Sequence, residues 1–264
     1  AYTRPMAGPG PQAAGGAGGG AGRFRGQVVL VTGSSSGIGA ATARAFDRAG
    51  AAVVVNSSSS VEEGQRLAAE LRDASYKQAD VADPAAARGL VDHCVEHHGR
   101  LDVLVNNAGT TEMIPHGDLE AATAEVWRRI FDVNVLGTWQ VTVAAVPHLR
   151  AAGAGQVVNV SSVAGERPTG SSIPYACSKA ALSHMTRLLA NVLGPAVRVN
   201  AVAPGLVDTP WTAGWPGARE FVSAQAPLGR PGDPDEVAEV IVALAGSGYV
   251  TGEVVAVDGG FSLR

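Results

Sequence analysis

The chain has 264 residues, 46% of them hydrophobic and 17% charged, with a formal net charge of −4. That composition excludes a disordered chain, and the weak acidic balance without a basic cluster gives no reason to expect a nucleic acid or an anionic membrane as partner. No apolar run reaches the roughly 18 residues of a membrane span, the start has no apolar secretory segment, and two cysteines are too few for a disulfide framework, so the cytoplasm is the expected location.

Residues 1–22 are dominated by Gly, Ala and Pro and read as a flexible tail. From there to residue 264 the pattern is that of one domain. Short β-branched runs alternate with helical stretches: VVLVT (28–32), AVVVN (52–56), a weaker YKQAD (76–80), DVLVN (102–106), VVNVS (157–161), VRVNAV (197–202) and VVAVD (254–258). Near-continuous apolar strands separated by helices predict a seven-stranded parallel sheet covered on both faces, an α/β doubly wound Rossmann fold.

After the first strand, TGSSSGIG (32–39) forms a glycine-rich turn that opens a helix. Gly33 suits a tight turn, Gly37 a close approach of backbone to a pyrophosphate, and Gly39 close packing of the helix, whose free N–H groups face the phosphates. Ser35, Ser36 and Ile38 belong to the same turn. At the end of the second strand, NAD-selective proteins of this fold place a carboxylate on the ribose 2′-hydroxyl. Here the chain reads VVVNSSSSVEE, so Asn56, Ser57 and Ser58 are expected to donate to a 2′-phosphate, and NADP(H) is favoured over NAD(H).

Tyr175 and Lys179 in PYACSK lie four apart and share a helix face, with Ser171 or Ser172 as cap. A phenol with pKa near 10 shuttles protons poorly at neutral pH, and a nearby ammonium favours the phenolate.

The spacing Gly-x-x-x-Gly-x-Gly, followed in order by NNAG (106–109), NVLG (134–137), SS (161–162), YACSK (175–179), PGLVDT (204–209) and TGEVVAVDGG (251–260), resembles the classical short-chain dehydrogenase/reductase family, with an ending similar to 3-oxoacyl-carrier-protein reductases. The resemblance covers about residues 26–264. It implies a ketone–alcohol interconversion in which Tyr175 exchanges the proton, Ser162 bonds the substrate oxygen, Lys179 lowers the tyrosine pKa and holds the nicotinamide ribose, and Asn134 holds a water linking Lys179 to solvent. It further implies that Asp80 and Val81 meet the adenine, that Asn107, Ala108 and Gly109 line the adenine-ribose floor, and that Pro204, Gly205, Val207 and Thr209 meet the nicotinamide. Ser161 is one residue out of register for the serine role.

Residues 206–232 mix Gly and Pro with Trp211, Trp215 and Phe221 and read as a mobile lid; the two tryptophans are candidate contacts for an apolar or aromatic acceptor. Imine reduction on the same residues, or cofactor sensing without turnover, are the competing functions. The resemblance also implies a homotetramer, or a homodimer, paired through helices around 120–150 and 175–192. His93, Cys94 and His97 in DHCVEHHG are at metal-ligand spacing but read as a solvated helix face, and no metal is expected.

Overall fold

The computed structural model describes residues 22–263 except 216; the segment expected to be a tail lies, but for Gly22, outside the described residues. Seven strands form one parallel sheet in the order β3-β2-β1-β4-β5-β6-β7. They are β1 (Val28–Val31), β2 (Ala52–Ser57), β3 (Ala74–Gln78), β4 (Val103–Asn106), β5 (Gly155–Val160), β6 (Val197–Pro204) and β7 (Val254–Val257). The order reverses between β1 and β4, so the chain ends of these neighbouring strands open a crevice, the place where this class of sheet binds ligands.

Every strand expected from the apolar runs is present. The weakest one is displaced: β3 begins at Ala74, two residues before the expected start, and ends before Ala79. Its register on β2 runs from Val53↔Ala74 to Ser57↔Gln78. Asp80 instead turns the chain, its carboxylate accepting the Ala82 N–H at 2.9 Å. Asp is a turn former and a poor strand residue, which is why the strand stops short of it.

Helices cover both faces. α1 (Gly37–Arg48), α2 (Val61–Glu70) and α8 (Pro234–Gly246) accompany one core, in which Val29, Val31, Phe46, Val53, Val103 and Ile241 are fully buried. α3 (Pro84–His98), α5 (Thr138–Ala151) and α6 (Ile173–Leu193) accompany the other, around Leu30, Leu90, Leu104 and Leu149. Alternate residues of the same strands feed the two cores, as a pleated strand requires. α4 (Ala124–Phe131) runs into α5 through a π-helical turn, Asp132–Gly137. α6 starts at the cap Ser172, whose hydroxyl accepts the Tyr175 N–H, followed by Pro174 in the first turn. α7 (Ala218–Gln225) is a short helix within segment 206–232. The two ends of that segment pair with each other: Gly232 N–H donates to Leu206 O at 2.9 Å and Asp208 N–H to Gly232 O at 2.9 Å.

Candidate active site

The carboxyl ends of β1, β2, β4, β5 and β6 converge on a cleft of about 810 Å³. One end is built by the glycine-rich turn. Gly33 and Gly37 have φ of +60° and +54°, which side chains rarely tolerate. The turn is held by Asn107, whose amide donates to Thr32 O and Gly33 O at 2.9 and 2.8 Å, while the Thr32 hydroxyl accepts the N–H groups of Asn107 and Ala108, both at 3.0 Å. Thr32 was not singled out in the sequence; the signal was its place directly before Gly33. A Cβ on Gly39 would lie 2.5 Å from Gly33 O, so this glycine packs against the turn itself.

Gly33, Ser36, Gly37, Ile38 and Gly39 line the cleft, as do Ser58, Asp80, Val81, Asn107, Ala108 and Gly109, and Pro204, Gly205, Val207 and Thr209 at the other end. Ser35 and Ser57 do not. The expected role of Asn56 and Ser57 is corrected by their partners. Asn56 reaches the cleft wall but its amide hydrogens go to Lys77 O and Ala79 O, both at 3.1 Å, and its Oδ1 accepts the Gly33 N–H at 3.1 Å. The Ser57 hydroxyl is taken by Ser60 O at 2.9 Å and the Tyr76 hydroxyl at 2.8 Å. Neither side chain has a donor left for a phosphate. Sequence alone shows which residue ends a strand, not which way its side chain is already bonded.

The residues expected to do chemistry come together at the other end. Tyr175 and Lys179 project from the first turns of α6, Ser162 follows β5, and all three line the cleft. The Lys179 ammonium lies 5.7 Å from the centre of the Tyr175 ring and donates to Val160 O at 2.8 Å. Burial pushes the Tyr175 phenol up to about 12, partly offset by a hydrogen bond with Ser162. Burial also lowers Lys179 to about 8. Desolvation is thus the largest influence on the phenol, with Ser162 acting against it and the Lys179 ammonium close to the ring.

Ser162 caps the short 3-10 turn Val163–Gly165, its hydroxyl accepting the Ala164 N–H at 3.2 Å and donating to Pro204 O at 3.4 Å. The neighbouring Ser161 is turned away, bonded to Lys179 O at 3.0 Å and Ser183 at 2.9 Å. Asn134, in the π-helical turn, is fully buried and does not line the cleft. Its side chain accepts the Thr110 N–H at 2.7 Å and donates to Thr110 O at 3.0 Å and to Ser178 at 2.9 Å. It thus joins the loop after β4 to α6, directly behind Lys179. No side-chain donor of Asn134 remains for a water, and its main-chain carbonyl already accepts the Thr138 hydroxyl at 3.1 Å.

Trp211 and Trp215 also line the cleft, the Trp211 ring edge-on to Tyr175 with centroids 6.4 Å apart and edge-on to Trp215 at the same distance. Met113, Phe221 and Phe261 belong to the apolar part of the wall and were missed or left unassigned in the sequence, since nothing local to them signals a cleft. On α3, His93 and His98 both contact the Ser75 hydroxyl, at 3.2 and 3.0 Å, so they are packed against β3 and not simply solvated. Among the described residues, no group of three or more His, Cys, Asp or Glu is arranged to hold a metal.

A glycine turn feeding a helix and a Ser–Tyr–Lys set over the same crevice define an enzyme of the nucleotide-dependent oxidoreductase type. Comparison with known proteins agrees. A family model described as "Enoyl-(Acyl carrier protein) reductase" matches residues 33–262. A Streptomyces violaceoruber protein named "Granaticin polyketide synthase putative ketoacyl reductase 2" is 59% identical over 239 residues, covering 89% of this chain and 96% of that protein. The 3-oxoacyl-[acyl-carrier-protein] reductase of Thermotoga maritima is 41% identical, covering 90% and 98%. A short-chain dehydrogenase/reductase structure from Burkholderia xenovorans superposes with a TM-score of 0.84 at 39% identity, covering 90% and 98%. The chain belongs to the short-chain dehydrogenase/reductase family and is an oxidoreductase acting on keto and alcohol groups.

The nicotinamide cofactor that the family implies fits the residues present. A Cβ on Gly37 would come within 3.2 Å of Thr209, and one on Gly109 within 3.3 Å of Asn134 and 3.6 Å of Lys179, so both glycines keep open a floor that any side chain would fill.

Proposed function

We propose that the protein reduces a ketone to a secondary alcohol with NADP(H), Tyr175 delivering the proton. The observation that carries this is the meeting of Ser162, Tyr175 and Lys179 on one cleft wall, beside a glycine turn shaped for a dinucleotide. The bound nicotinamide would supply the hydride. Ser162 bonds the carbonyl oxygen and steadies the alkoxide as it forms; Tyr175 gives that oxygen its proton; the Lys179 ammonium, 5.7 Å from the ring centre, favours the phenolate left behind by its positive charge. Asn134 fixes the loop and helix that carry Thr110 and Lys179.

The preference for NADP(H) now rests on what is absent and on two other serines. Asp80 is the one carboxylate among the described cleft residues, and it sits after β3, while Ser36 in the glycine turn and Ser58 directly after β2 line the cleft. Neutral donors hold a phosphate roughly half as strongly as charge-assisted ones, so the preference is modest. Residues 206–232 act as a lid over the acceptor. Leu136, Trp139 and Val143 near and on α5 and Leu188 and Val192 on α6 are exposed apolar side chains, which supports pairing into a dimer or tetramer through those helices.

The test follows oxidation of NADPH and NADH over a ketone panel that includes a 3-oxoacyl thioester, with Tyr175→Phe alongside. NADPH-dependent turnover that falls at least 100-fold in Tyr175→Phe is expected. Turnover that survives the substitution would overturn the assignment of the proton donor, and reduction of imines alone would move the reaction to the competing class.

A further inference from the structure

We propose that the C-terminal turn, through Phe261, is a specificity element of the acceptor site and fits it to flat cyclic ketones. This rests on the reductase reading above. Of the chain's four tryptophans, four tyrosines and five phenylalanines, Tyr175, Trp211, Trp215, Phe221 and Phe261 all line this one cleft. Phe221 on α7 meets Phe261 with ring centroids 6.0 Å apart at 66°. Trp211 bridges Tyr175 and Trp215, each contact edge-on. A planar ring can present its edge or face to such crossed rings, whereas a flexible chain loses more entropy there for less contact.

The turn that carries Phe261 is built rather than loose. The Asp258 carboxylate accepts the N–H groups of Gly260 at 2.9 Å and Ser262 at 2.7 Å. Arg167, in the loop beyond Ser162, donates to Ser262 O at 3.0 Å. The second arm of segment 206–232 rests on it: Leu228 N–H donates to Gly259 O at 3.1 Å, and a Cβ on Gly260 would lie 2.8 Å from Pro227. Phe261 therefore stands between the serine loop and α7, touching both the wall of the cleft and the helix that covers it.

The experiment compares Phe261→Ala and Phe261→Leu with the unchanged protein. Initial rates with NADPH are read for 2-tetralone, a flat bicyclic ketone, and for ethyl acetoacetate, a small acyclic one. Tryptophan fluorescence follows 2-tetralone binding without turnover, and NADPH binding is titrated separately. Phe261→Ala is expected to raise KM for 2-tetralone about tenfold with kcat little changed, Phe261→Leu less, while KM for ethyl acetoacetate and NADPH affinity hold. Equal changes for both ketones, weakened NADPH binding in both variants, or no change at all would overturn the inference. If the unchanged protein binds 2-tetralone but reduces no ketone, the reductase reading fails and the binding comparison still decides the role of Phe261; if it does not bind 2-tetralone, the inference fails by itself.

Discussion

At the scale of single residues, the site is governed by burial. Lys179 has a lowered pKa of about 8 because it is desolvated, against an unfolded value near 10.4. A lysine whose native pKa is depressed holds fewer protons than the unfolded chain between those two values. Stability should therefore rise as pH increases from about 8 to about 10, and Lys179→Met should remove that slope; denaturant titrations across this range would show it. Asn56 gives a second residue-scale prediction. Asn56→Asp puts a carboxylate oxygen against Lys77 O and Ala79 O, where the amide now donates. Loss of those two donors, with repulsion added, should cost on the order of 2–4 kcal/mol in stability and should not by itself create NADH preference. Thermal melts and the NADPH/NADH ratio of kcat/KM test the two halves. Conversely, Ser58→Asp places an acid where a side chain does face the cleft, and is expected to shift that ratio toward NADH at least tenfold; an unchanged ratio would mean that the phosphate end lies elsewhere.

At the scale of elements, the π-helical turn between α4 and α5 matters most. It sets Asn134 inward so that one side chain ties the loop after β4 to α6. Asn134→Ala leaves Thr110 and Ser178 without those partners, so a fall in kcat with KM little altered is expected, together with a modest loss of thermal stability. A change in KM alone would argue that Asn134 shapes the binding surface instead. The motif NVLG was visible in the sequence, but the π geometry was not, because one extra residue per turn leaves no mark on an apolar pattern. The β3 boundary failed for a related reason: a strand at the edge of the sheet has weak alternation, and turn chemistry at Asp80 decided its end.

At the scale of the molecule, Leu136 in the π-helical turn, Trp139 and Val143 on α5, and Leu188 and Val192 on α6 are exposed, and light scattering on the purified chain should report a mass of two or four copies. A monomer would leave that apolar surface to be explained otherwise.

What the sequence determined is the order of strands and helices, the parallel sheet, the glycine turn and the pairing of Tyr175 with Lys179 on one helix, because each is written in local signals: β-branched runs, glycines at fixed offsets, and residues four apart on one helix. The tertiary structure decided what depends on partners distant in the chain. It tied Asn56 to Lys77 and Ala79 and Ser57 to Tyr76, desolvated Tyr175 and Lys179 together, and brought Phe261 from the end of the chain to Phe221. Hydrogen-bond partners and burial are properties of the packed molecule, and no window of sequence contains them.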